Sequence, residues 1–140
     1  MDIARLVQSS IAPVFLFSGV AATLGVLTSR LARIVDRARR LEEQLQGHPG
    51  SAAQLHADLK VLARRAGYIN VAISLCAIAA LLVALVVVTL FANAFVGSEL
   101  GIVIALLFVG GMVCLAAAFI AFFIEVRLAV RTLRIGLPRA

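Results

Sequence analysis

Residues 68–91 read YINVAISLCAIAALLVALVVVTLF, twenty-four consecutive positions without a charged side chain. A hydrocarbon core about 30 Å thick is crossed by roughly 20 helical residues, so this stretch alone is long enough to span a membrane. Two further blocks repeat the pattern, residues 11–27 and 101–124, and neither holds a charge. Lipid offers no partner to an unpaired backbone N–H or C=O, so a segment immersed in it must bond internally as a helix or close into a barrel. Barrel strands alternate in polarity over about ten residues, whereas these blocks are continuously apolar. The expected fold class is all-α integral membrane, with three transmembrane helices.

The rest of the composition agrees. Of 140 residues, 63% are hydrophobic and 14% charged, against a soluble norm of roughly 45 to 50% and 25%. The first block does not read as a cleaved signal, because Asp2 and Arg5 ahead of it cancel and the arginine cluster follows it, the reverse of a signal peptide. The net charge is +6, and twelve of the thirteen Lys and Arg residues lie between Arg30 and Arg65 or between Arg127 and Arg139. In a three-span layout both stretches fall on one side. By the positive-inside rule that side is the cytoplasm, with the N-terminus outside and the C-terminus inside. The expected partners of the basic stretches are anionic lipid headgroups, worth about 1 kcal/mol per near-surface basic residue. Nucleic acid is not expected, since the chain has no nucleic-acid module and no aromatics interleaved among these arginines.

Between the first two spans the apolar residues keep a three-four spacing: Leu31, Ile34, Ala38, Leu41 and Leu45. This is a heptad seam, and Leu27, Leu24 and Val20 continue it back into the first span. A second seam, Leu55, Leu59, Leu62, Ala66, Ile69 and Ile73, enters the second span in the same way. Between them lies Gly47-His48-Pro49-Gly50-Ser51. Gly47 suits a left-handed C′ position, and Ser51 with Gln54 has capping-box spacing. Folding the seams about this turn sets Leu45 against Leu55, Leu41 against Leu59, Ala38 against Leu62, Ile34 against Ala66 and Leu31 against Ile69, with one constant sum of positions. The same register brings Glu42 near His56. The expected element is a cytoplasmic antiparallel coiled-coil hairpin continuing the first two helices. From Thr28 to Gln46 it projects about 28 Å at the helical rise. The alternative is that these amphipathic helices lie on the membrane surface.

The chain then divides as one membrane domain: an extracytoplasmic segment 1–10, spans 11–27, 68–91 and 101–124, the hairpin 28–67 with its turn at 47–51, a loop 92–100 and a basic tail 125–140. Ser98 suits the N-cap of the third helix. That helix overruns the span as a short basic C-terminal helix, with Arg127, Arg131 and Arg134 on one face, until Gly136 and Pro138 stop it. At the N-terminus either an interfacial turn precedes Pro13, which suits a first helical turn, or the first span starts earlier with a kink.

No catalytic constellation is legible. His48 and His56 sit at or near the hairpin tip without a neighbouring Cys, the acids are scattered, and no metal-ligand or cofactor spacing occurs. The chain is expected not to be an enzyme. Cys76 and Cys114 fall within spans, where a small buried hydrophobe is the usual role, and no disulfide is expected. Asp36 and Glu125 are expected to pair with nearby arginines in an ion-pair and headgroup cluster of Arg30, Arg33, Asp36, Arg37, Arg64, Arg65, Glu125, Arg127 and Arg131. Gly19, Ala21, Gly25, Gly110, Cys114 and Ala118 are expected at close helix contacts. Ser18, Thr23, Asn70, Ser74 and Thr89 are expected to bond between helices. The spans hold no ionisable group of the kind an ion path needs.

The run Ser10-Ile-Ala-Pro-Val-Phe-Leu16, continued through Leu27-Thr-Ser-Arg-Leu-Ala-Arg-Ile-Val-Asp-Arg37, with Arg64-Arg65 and the stretch from Glu125 to Arg134, resembles a family of small bacterial membrane proteins catalogued as domain of unknown function 2721. The resemblance implies a location in the bacterial inner membrane and brings no activity or catalytic residue. The layout is also similar in topology to the stator subunits of bacterial ion-driven energisers, but the ion-path residues are missing. The expected function is a non-enzymatic membrane assembly or scaffold protein that self-associates. The alternatives are an accessory subunit of a larger complex docking through the hairpin, and an oligomeric pore.

Overall fold

The protein is described by a computed structural model covering residues 2–97 and 99–135, with the side chains of Pro49 and residues 133–135 outside the description. Helix α1 runs over Ile3–Gly47, a 3-10 turn occupies Pro49–Ser51, α2 runs over Ala52–Val96 and α3 over Gly101–Ile135. All three helices are long and apolar enough to cross a membrane, and the described residues contain no strand. At 45 residues each, α1 and α2 extend about 68 Å, roughly twice the hydrocarbon thickness. Their apolar halves lie at the end away from the turn, so the polar halves overrun on the turn side together.

Of the two expectations for the N-terminus, the structure agrees with the earlier start: the helix begins at Ile3 and continues through Pro13. Residues 3–10 are therefore helical and continuous with the first span. Pro13 removes one backbone donor. Just before it, the Ser10 hydroxyl donates to the carbonyls of Leu6 at 2.8 Å and Val7 at 3.0 Å, so this turn satisfies a buried polar side chain locally.

The caps also correct the sequence reading. Gly47 is still helical, and the cap is His48 at φ −139°, ψ 84°, whose N–H donates to the Gln44 carbonyl. The physical reason is Pro49, which disfavours helical backbone in the residue before it. Ser51 precedes α2, but its hydroxyl makes no capping hydrogen bond among the described residues. The one left-handed glycine described is Gly97, φ +66°, closing α2 with its N–H on the Asn93 carbonyl. The expectations for Ser98, Gly136 and Pro138 lie outside the described residues.

Packing places α2 between its neighbours, touching α1 along one side and α3 along the other, while α1 and α3 hardly meet directly. The buried positions keep a seven-residue beat on every helix: Pro13, Val20, Leu27 and Ile34 on α1; Leu62, Ile69, Cys76 and Val83 with Ala72, Ala79 and Val86 on α2; Gly111, Ala118 and Glu125 on α3. Such a repeat keeps a single face against its partner over many turns. The ten hairpin positions Leu31, Ile34, Ala38, Leu41, Leu45, Leu55, Leu59, Leu62, Ala66 and Ile69 are each buried or half-buried. Cys76 is buried, Cys114 half-buried, and both are free thiols.

The small residues divide between the two helix pairs. On α3 they approach α2: a Cβ on Gly110 would meet Leu82 at 3.6 Å, and one on Gly111 would meet Leu82, Val83 and Ala79 at 3.5 to 3.7 Å. Ala118 is buried and Cys114 half-buried on the same side. On α1 the expectation fails within the chain, because Gly19, Ala21 and Gly25 are exposed and a Cβ on either glycine would meet nothing within 4 Å. The reason is helical phase: they point away from the Val20, Leu27 and Ile34 face that α2 covers.

Candidate functional site

The seven-residue beat of α3 has one unusual consequence. After Gly111 and Ala118 the next inward position is Glu125, and its side chain is completely buried, at 0% exposure. A carboxylate here loses its hydration and must be compensated by charge and hydrogen bonds. Compensation comes from the other two helices. Arg30 of α1 donates Nε–H and Nη2–H to Oε2 at 3.1 and 2.9 Å, and Arg65 of α2 donates the same pair to Oε1 at 3.1 and 2.9 Å. Each oxygen thus accepts two charge-assisted bonds, which uses the acceptor capacity of the group.

The three helices that meet only pairwise through α2 are therefore tied at a single point. Arg65 is 16% exposed and Arg30 34%, so the node is open on the α1 side. There the Arg30 guanidinium lies over the Phe122 ring at 5.3 Å, a cation–π contact that fixes its plane. No described buried side-chain N or O lacks a partner.

The position of the node follows from the sequence. Arg30 lies three residues after the first apolar block, Arg65 three before the second, and Glu125 directly after the third. All three sit at the same end of the apolar zone. Chemically, both oxygens of this buried carboxylate are taken by arginine donors, an arrangement that links residues of all three helices. Among the described residues no group of His, Cys, Asp or Glu is gathered as a metal site.

The nine-residue cluster expected from the sequence resolves into this trio and a remainder. Arg33, Asp36, Arg37, Arg64, Arg127 and Arg131 are all exposed. Arg127 lies over the Phe123 ring at 5.2 Å. The only salt bridges among the described residues are those of Glu125, so the pairings expected for Asp36 and for Glu42 with His56 do not form. At exposed helix positions such pairs are worth only tenths of a kcal/mol and do not hold long side chains in place. The span hydroxyls also differ from expectation: Ser18, Thr23, Ser74 and Thr89 each donate to the carbonyl four residues earlier in their own helix. That local bond satisfies them without a partner helix.

What the sequence missed is the burial of Glu125. A signal was present, since residues 111, 118 and 125 share one heptad phase, but it becomes decisive only when α2 is known to cover that phase. No curated protein and no solved structure matches the chain. A model of the family DUF2721, described as a protein of unknown function, matches residues 10–135, and the chain belongs to that family.

Proposed function

We propose that this is a non-enzymatic bacterial inner-membrane protein that self-associates through its first helix, forming an assembly with its hairpin standing in the cytoplasm. The observation that carries this reading is the outward face of α1. Ser18, Ala22, Gly25, Ser29 and Ala32 recur at three-four spacing, all exposed, and they lie opposite the buried Val20, Leu27 and Ile34 stripe. Lipid gives helices no hydrophobic reason to associate, so association depends on close packing of small residues. On α3 such residues are used inside the chain, against α2; on α1 they are not. The share of each apolar window buried within the chain is 28% at most, which leaves the α1 face available. The Glu125 node supports the reading by holding the three helices as one rigid unit that a second copy can meet.

Size measurement in mild detergent is expected to give a multiple of 14.8 kDa, and Gly25→Leu with Ala22→Leu is expected to reduce it to the monomer with helicity unchanged. A clean monomer of the unaltered chain at micromolar concentration overturns the proposal. Purification from the native membrane separates it from the accessory-subunit alternative, in which a foreign protein is retained in stoichiometric amount.

A further inference from the structure

The arginines that hold Glu125 do more than neutralise it. Each uses Nε–H and Nη2–H for the carboxylate, and the Nη1 end of each takes no part. Both residues also line a cleft of about 220 Å³ between α1 and α2, together with Arg33, Arg37, Ile34 and Leu62. Four guanidinium groups thus surround one space, with a single carboxylate behind two of them, leaving an excess of three positive charges. Asp36 and Asp58 line adjoining clefts and not this one, and neither makes a salt bridge among the described residues, although Arg33 and Arg37 border the cleft of Asp36 and Arg37 and Arg65 that of Asp58. Guanidinium groups at this density repel one another unless an anion joins them, and their fork of donors matches the oxygens of a phosphate.

The surroundings say which phosphate. The cleft lies at the end of the apolar zone, at the depth of a headgroup layer. Arg30 packs on Phe122, and Phe122 in turn belongs to a shallow, open apolar face of α3 with Phe119, Ile120, Phe123 and Val126. Arg30 thus borders the basic cleft and stacks on one residue of this apolar face, which continues along α3 into its apolar span. We propose that this site binds one anionic phospholipid, its phosphate among Arg30, Arg33, Arg37 and Arg65 and its acyl chain along the Phe119 to Phe123 face. The proposal does not depend on self-association. Glu125 acts as the positioning residue, presenting Arg30 and Arg65 already oriented, which lowers the ordering cost of binding.

The test uses the full chain reconstituted in phosphatidylcholine vesicles containing phosphatidylglycerol, extracted gently and weighed by native mass spectrometry with its retained lipid. Phosphatidylglycerol is expected to be enriched over phosphatidylcholine at one molecule per chain. Arg33→Gln with Arg37→Gln, both exposed and outside the node, is expected to lower that enrichment about fivefold to thirtyfold, as loss of two near-surface charges implies. Arg39→Gln with Lys60→Gln removes the same charge outside the cleft and is expected to leave it within twofold. Phe119→Ala with Ile120→Ala is expected to weaken retention without changing the charge. Enrichment absent in the unaltered chain, or lost equally in the Arg39 and Lys60 variant, overturns the site. Displacement of the lipid by millimolar inorganic phosphate, or indifference to the Phe119 and Ile120 substitutions, overturns the lipid as occupant and leaves a simple phosphate cleft.

Discussion

At the scale of single residues, Glu125 combines full burial with two cationic partners of unequal exposure, and this asymmetry sets the order of mutational effects. Glu125→Gln keeps the shape but presents amide hydrogens to a guanidinium and leaves two cations facing each other. Removing one partner from a buried pair costs about 3 to 5 kcal/mol, and that range is expected here. Arg65→Gln is expected to cost less, and Arg30→Gln less again, because Arg30 is the more exposed and therefore the more screened. Replacing the trio together by Met, Met and Leu removes every unpaired charge and is expected to recover much of the loss. Unfolding in mixed micelles with increasing SDS measures the series; equal losses for the two arginines would show that exposure does not govern the node. The sequence placed Arg30, Arg65 and Glu125 in one cluster of nine, since charges at the ends of apolar blocks are visible in composition. It did not separate them from Asp36 or Arg127, because which charge is buried depends on helix rotation, and only packing sets that.

At the scale of elements, the hairpin is the part most open to a direct geometric check. Leu41 and Leu59 are both half-buried, and the constant-sum register expects them to be opposite neighbours. Cysteines at those two positions, in a chain freed of Cys76 and Cys114, are expected to crosslink readily. Leu41 with Leu55 is offset by about one helical turn, roughly 5 to 6 Å, and is expected to react poorly, since a disulfide needs Cα atoms within about 7 Å. Equal yields for both pairs, or none for either, would mean that the helices splay. The burial of the seam positions and the break between α1 and α2 at residues 48–51 were legible because three-four spacing and a Pro-Gly turn are local signals. The cap was not: Gly47 and Gly97 are equally permissive glycines, and the choice of Gly97 for the left-handed position follows from Pro49 already ending α1 by another route.

At the scale of the whole molecule, charge and packing together decide how the chain sits in its membrane. Its three apolar zones are read directly from composition, and the short connections make α1 with α2 and α2 with α3 antiparallel. That α2 lies between the others, with α1 and α3 joined through Arg30 on Glu125 and Phe122, was not legible, because helix order around a bundle depends on which faces bury and all three are apolar nearly all round. The expected orientation rests on a different force. Arg30, Arg33, Arg37, Arg39, Arg40, Lys60, Arg64 and Arg65 all lie in the hairpin half of α1 and α2, and moving so many charges across a bilayer is far less favourable than moving the short loop that holds Glu99. Single cysteines in a chain freed of Cys76 and Cys114 test this with an impermeant thiol reagent. Glu99→Cys is expected to label in intact cells, whereas Gly50→Cys is expected to label only after lysis. Both positions are exposed, so failure to label reports the side of the membrane and not burial. Labelling of Gly50→Cys without lysis would put the hairpin outside, and with it the basic cleft, which would then face the outer leaflet.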